Sequence, residues 1–126
     1  MSKNIGSLLE EANSIIKTIA VNEAKSLHGK DGIIFLDVRE TGELLKTGKI
    51  KGAIHIPRGF LEFEIENYLQ GSYDSTIIVV CAAGSRSLLA AKVLKDMGVS
   101  NPLNLEGGMH AWIESGYETE EVGGKF

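Results

Sequence analysis

Two segments, "GIIFLDV" (residues 32–38) and "STIIVVC" (residues 75–81), read as strands without a polar face. Each is a continuous, β-branched-rich apolar run of strand length. A strand that is apolar on both sides must be covered on both sides. That is the situation of a parallel sheet packed between helices. The rest of the chain alternates to match, which predicts an α/β fold. Ile5, Leu8, Leu9, Ala12, Ile15, Ile16 and Ile19 recur at helical spacing, so the chain opens on an amphipathic helix over residues 1–16. "TIA" is a short strand, and Asn22 is the expected cap of a helix that Gly29 ends. "RETGELLKTG" reads as helix and "GAIHIP" as a short strand stopped by Pro57. "LEFEIENYLQG" is helical, with Leu61, Ile65, Tyr68 and Leu69 on one side. "SRSLLAAKVLKDMG" is a helix that buries Leu89, Ala90, Val93, Leu94 and Met97. "NPLNLEG" is a last strand and "GMHAWIESGY" a last helix. Residues 119–126 are expected to fray or drape over the surface.

In open parallel sheets, sites gather at the carboxyl ends of the strands. Three groups of residues stand there: Asp37 and Arg39, Cys81, and Glu106. The net charge of −4 excludes a general nucleic-acid binder and gives no long-range attraction for anions. An anion site must therefore be built locally, from backbone donors and placed arginines. Cys81 is the only cysteine, so no internal disulfide is expected. The first residues lack the basic start and long apolar stretch of a secretory signal. No run reaches membrane-spanning length. A cytoplasmic location is the expectation, with no membrane partner.

"CAAGSRS" places that one thiol between a buried strand and the start of a helix. The first amides of a helix have no internal partner, and its dipole adds partial positive charge there. Such a place favours a thiolate. Gly84 lets the loop curl, and Ala82 and Ala83 are small enough for the backbone to face inward. Arg86, behind Ser85, adds a full charge able to bind an anion through two parallel hydrogen bonds. The loop is thus a cradle for a sulfur anion and for an anionic group delivered to it.

"FLDVRE", "GKIKGAIHIPRG", "IIVVCAAGSRS" and "NLEGGMHAWIESGY" occur in the order and spacing of a single-domain rhodanese, and residues 17–118 resemble that sulfurtransferase family. The resemblance implies a five-stranded parallel sheet flanked by helices. It implies a cysteine, Cys81, that takes sulfane sulfur from a small donor (thiosulfate or a persulfide) and holds it as a persulfide. The sulfur then passes to a thiophilic acceptor: cyanide, a small thiol or a thioredoxin-like protein. By the same resemblance the backbone of Ala82, Ala83, Gly84, Ser85 and Arg86 surrounds the terminal sulfur. Asp37 ties a strand end to the loop, and Arg39 occupies a basic position near the pocket. Neither metal nor cofactor is implied. Lys49 stands where the family more often has histidine, and Arg86 replaces the hydroxyl or apolar residue of some thiosulfate-specialised members.

The same fold serves phosphatases of the cell-cycle type and some arsenate reductases, whose loops place five residues between cysteine and arginine. Here Ala82, Ala83, Gly84 and Ser85 make four. A shorter loop closes around one sulfur atom and leaves no room for a tetrahedral oxyanion. A non-catalytic binding module is the third reading. Arg58 either lines the pocket mouth or is a solvated arginine. Glu106 supports the site from its strand end. His28 is expected at a solvated helix end, His55 in a hydrogen-bonded role, and His110 beside Trp112 in a structural one. With no second thiol in this sequence, sulfur carried on Cys81 must leave to an outside acceptor.

Overall fold

The computed structural model describes residues 2–123. Six helices are present among them: α1 (Ile5–Ile15), α2 (Val21–Leu27), α3 (Thr41–Thr47), α4 (Leu61–Leu69), α5 (Ser85–Asp96) and α6 (Gly108–Glu114). The strands are β1 (Lys17–Ile19), β2 (Ile33–Asp37), β3 (Lys49–Ile50), β4 (Ile54–His55), β5 (Thr76–Val80), β6 (Asn101–Leu105) and β7 (Thr119–Glu120). Five of them form one sheet in the order β1-β6-β5-β2-β4, and every pairing in it is parallel. The two most apolar runs of the sequence are the adjacent strands β2 and β5, at the interior of the sheet. Their alternate residues feed two cores. Leu36, Ile77 and Val79 pack with α1, α4 and α5 on one face. Phe35, Ile78 and Val80 pack with α2 and α6 on the other. No helix among the described residues is long and apolar enough to cross a membrane.

Several local expectations are corrected. The helix α2 begins at Val21 after Ala20, so Asn22 lies inside its first turn and caps nothing. The start of the tail is not loose: Thr119 and Glu120 pair antiparallel with Ile50 and Lys49, fastened by the Lys49–Glu120 ion pair. Residues 124–126, the end of the expected tail, lie outside the described residues. Helix α1 buries only Ala12 completely, while Ile5, Leu8 and Ile15 stay exposed. It rests on α5 rather than on the sheet, so a narrower stripe is covered. The α5 stripe is turned by about one position: Leu88 and Ala91 are buried, and Leu89, Val93 and Met97 only partly. Tyr68 on α4 is exposed. His28 is half-buried, edge-on to Phe35 and Trp112, and its Nε2 meets the Lys51 carbonyl at 2.7 Å.

Two features fix the strand ends. At the end of β2, the side chains of Asp37 and Arg39 are 1% and 2% exposed and form a buried ion pair. Asp37 accepts from Arg39 Nε at 3.0 Å and from Nη2 at 2.7 Å. The rest of the guanidinium donates to Thr47 Oγ1 at 2.8 Å and to the Gly48 carbonyl at 2.9 Å. It therefore locks the end of α3 onto β2. At the end of β5, α6 starts against the cysteine loop. Its Met109 amide donates to the Cys81 carbonyl at 2.9 Å, and the His110 amide to the Ala82 carbonyl at 3.1 Å. Gly108 makes this approach feasible. Its φ is +54°, and a Cβ there would lie 2.3 Å from the Cys81 oxygen.

Removing one member of a buried ion pair strands the other without compensation. Arg39→Ala is expected to lose about 3–5 kcal/mol in urea denaturation. Arg39→Lys should recover only part, because a point charge replaces a fork. Gly108→Ala should lose about 1–3 kcal/mol from backbone strain alone, before the overlap is counted. Gly59→Ala, where nothing lies within 4 Å of the added carbon, should be near neutral. Equal melting temperatures for the two glycine variants would contradict the close approach.

Candidate active site

Strand β5 ends at Val80, and the next residue, Cys81, is 1% exposed. Gly84 adopts φ +114°, which L side chains rarely accept, and brings the chain round into α5. Because α6 draws the Cys81 and Ala82 carbonyls outward, the amides that follow are free to turn inward. The Gly84 amide donates to Cys81 Sγ at 3.1 Å. The Ser87 hydroxyl lies 3.3 Å from the same sulfur. Burial acts against a charged sulfur. The Ser87 hydroxyl and the Ser87, Gly84 and Ala83 amides outweigh it, so the thiol pKa lies below its ordinary value. The start of the α5 dipole acts in the same direction.

Sequence reasoning did not single out Ser87, Asn104 or Glu43. Ser87 is wholly buried and follows Cys81 by six positions, in the first turn of α5. The signal was a hydroxyl in line with the core residues Ala90, Ala91 and Leu94. Asn104 is the one polar side chain buried in β6. It sits 2.5 Å from the Ser87 hydroxyl and also bonds to the Gly84 carbonyl and Thr18. Its signal was a polar residue inside "PLNL". Glu43 carried none, since an acid on a short helix reads as solvated.

The arginines are placed differently from the expectation. Both ends of the Arg86 fork are taken by Glu43, at 2.8 Å each, so the guanidinium braces the loop to α3. Hydrogen bonding to Arg86 pulls the Glu43 carboxyl down to about 2 against its burial, and Glu43 raises Arg86 in turn. Arg39 is turned inward to Asp37 and only borders a small hollow of about 120 Å³ beside Ala82 and the exposed His110. Arg58 follows β4 on a 3-10 turn and pairs with Glu62 at 2.9 Å. His55 Nε2 meets the Arg39 carbonyl at 2.7 Å. The larger opening beside the loop is a cleft of about 460 Å³. Helix α1 supplies Leu9, Glu10 and Asn13 to it, and the loop and the end of β6 supply Gly84, Ser85 and Glu106. Its size suits a small ligand. Of the strand-end groups expected at the mouth, Glu106 lines this cleft and Arg39 and Arg58 do not.

A buried thiol under inward-facing amides, with its ionisation favoured, is equipped for nucleophilic chemistry. Comparisons with known proteins fit this geometry. The chain is 32% identical over 116 residues to the mouse thiosulfate sulfurtransferase/rhodanese-like domain-containing protein 3, covering 83% of this chain and 72% of that one. It is 30% identical over 99 residues to the thiosulfate sulfurtransferase GlpE of Pseudomonas putida, covering 79% of this chain and 86% of that one. Other relatives are longer, and this chain spans about half their length. Among solved structures, a protein of unknown function from Rhodopseudomonas palustris, described as a possible tyrosine phosphatase, superposes with a TM-score of 0.87. It is 35% identical, and the match covers 95% of this chain and 96% of that one, α1 included. The rhodanese-like domain family matches residues 20–115, and with its parallel sheet, its cysteine loop and these relatives the chain belongs to that family.

Proposed function

We propose that the protein is a sulfurtransferase that carries sulfane sulfur on Cys81 from a donor such as thiosulfate to a thiol or cyanide. The observation that carries this reading is the fit of the loop to one sulfur: four residues between Cys81 and Arg86, with the Gly84 amide on Sγ at 3.1 Å. The thiolate attacks the outer sulfur of thiosulfate. The S–S bond of the donor breaks, and sulfite leaves with the electron pair. The terminal sulfur of the resulting persulfide is an anion for the loop amides to stabilise. An acceptor thiolate, from a small thiol or a thioredoxin-like protein, then attacks that sulfur, and Cys81 leaves as thiolate. The cleft walled by α1 and Glu106 gives the acceptor room beside the loop.

A second reading, phosphatase activity, has the R. palustris neighbour in its favour. The loop argues against it. Phosphoryl transfer wants a free arginine fork and space for three oxygens over the sulfur. Arg86 is occupied by Glu43, and the loop closes on the sulfur itself.

Cys81→Ser should abolish thiosulfate-to-cyanide transfer with the melting transition retained. Intact mass after thiosulfate should rise by one sulfur atom, reversibly with reductant. Transfer by the serine variant, or no mass gain on the wild type, contradicts the reading. An aryl phosphate should be turned over at background, and Cys81-dependent release of the phenol would favour the phosphatase instead.

The loading rate should rise with pH as the thiolate forms and level off at a pH below that of a free thiol, because the site lowers the pKa of Cys81. A midpoint at or above the free-thiol value would show that the cradle does not favour the anion. Arg86→Ala and Glu43→Gln should both lower thiosulfate kcat/KM by about tenfold, the worth of a charged hydrogen bond. If Arg86 instead bound the donor, Glu43→Gln would release the fork and raise kcat/KM. Glu43 titrates near 2, so the brace is fully formed above the ordinary carboxylate range and is lost only as pH falls through about 2.

A further inference from the structure

Asn104 is 4% exposed, and every polar atom of its side chain has a partner. Its Nδ2 lies 3.1 Å from the Gly84 carbonyl and 3.3 Å from Thr18 Oγ1. A carbonyl only accepts, so the amide nitrogen must face Gly84 and the amide oxygen must face Ser87. Ser87 Oγ is 2.5 Å from that oxygen. Asn104 Oδ1 has no proton to give, and Ser87 has only one. The Ser87 proton therefore lies toward Asn104. The 3.3 Å contact between Ser87 and Cys81 must then have the sulfur as donor, S–H to Oγ. This arrangement matches the neutral thiol.

Ionisation removes the sulfur proton and changes the requirement. The thiolate needs a donor, and the nearest hydroxyl already donates elsewhere. If Ser87 rotates to the sulfur, the buried Asn104 oxygen loses its donor, an unfavourable state in a low-dielectric interior. If Ser87 stays, an oxygen lone pair faces the sulfur anion and only backbone amides serve it. We propose that Asn104 is a positioning residue that holds the Ser87 hydroxyl in its thiol-state orientation and competes with the Cys81 thiolate for that single proton. Asn104 thereby restrains the nucleophile through Ser87, while its amide group ties down the Gly84 carbonyl and so the loop. A sulfur that keeps its own proton at rest is a poorer target for oxidants than a thiolate.

The inference rests on Cys81 as the reacting group, but its test needs no sulfur donor, so it stands or falls separately from sulfur transfer. The charged and titratable groups facing the loop and its openings are Arg86 on α5, Glu43 and Lys46 on α3, the Asp37–Arg39 pair after β2, His110 on α6, and Glu10 and Glu106 across the cleft. None of them hydrogen-bonds to Ser87 or Asn104, so their titration is a shared background. The thiolate is followed by its ultraviolet absorbance against pH, with Cys81→Ser as the blank, since Cys81 is the only cysteine.

Asn104→Leu keeps the volume and removes the acceptor, together with the Nδ2 bonds to the Gly84 carbonyl and Thr18. It should lower the thiol midpoint by about one pH unit, the scale of one hydrogen bond to a charged group. Ser87→Ala should raise the midpoint by a similar amount. In the Ser87→Ala background, Asn104→Leu should produce a much smaller shift, because the proton over which they compete is gone and only the tie to the Gly84 carbonyl is lost. An equal shift in both backgrounds, or a rise with Asn104→Leu alone, overturns the proposal. If Asn104→Leu loses its melting transition, Asn104→Asp takes its place. Its carboxylate keeps a stronger acceptor on Ser87 and must raise the midpoint in the wild-type background by more than in Ser87→Ala. A fall, or equal rises in the two backgrounds, overturns the proposal.

Discussion

The site depends on which way two peptide planes face. The Cys81 and Ala82 carbonyls are drawn outward by the first amides of α6, at 2.9 and 3.1 Å. That turns the N–H of the second plane, on Ala83, toward the sulfur, where the Gly84 amide joins it at 3.1 Å. A carbonyl facing the sulfur would repel the anion that the loop is shaped to hold. Helix α6 can reach those carbonyls only because Gly108 has no side chain and tolerates φ +54°. The chemistry of residue 81 is therefore set by a glycine 27 positions along the chain. The parallel order β5–β6 makes the distance short in space, since it puts the ends of both strands at one edge.

Around this centre the fold spends its buried polar contacts on the strand ends. Asp37 and Arg39 join β2 to the end of α3, and the Arg39 backbone carbonyl meets His55, the last residue of β4. Glu43, earlier in the same α3, reaches across to Arg86. The same carboxylate accepts from the Glu40 amide at the start of α3. One acid thus orders a helix start and the end of the cysteine loop together. These links run between elements that the sheet alone would leave free to shift.

Much of this was legible in the residues, for reasons that also mark the limit. The β2 and β5 runs announce themselves because burial on both faces leaves no room for polar residues. Cys81 and its small neighbours are legible because a strand-to-helix turn has a known electrostatic sense. Partnerships between distant side chains are not local properties. Nothing within "RETGELLKTG" says that Glu43 will occupy the fork of Arg86, so the arginine reads as an anion binder until its partner is seen. Asn22 failed as a cap because α2 begins two residues earlier than its pattern suggested. The β3–β7 ribbon has only two residues on each strand, too few for any periodicity. The exposed face of α1 follows from its seat on α5, which the helical spacing does not encode.

Apart from Ser87, no side chain of the loop takes part in holding the sulfur. The backbone amides that serve the sulfur are those of Ala83, Gly84 and Ser87, and the Arg86 guanidinium is taken by Glu43. The chemical function of the segment is therefore largely insulated from its spelling. The letters at these positions can be rewritten to reshape the rim or alter its electrostatics, so long as Gly84 and the peptide planes are kept. The constraint on reactivity is lodged instead in Ser87, Asn104 and Gly108, residues that a scan confined to the rim would never visit.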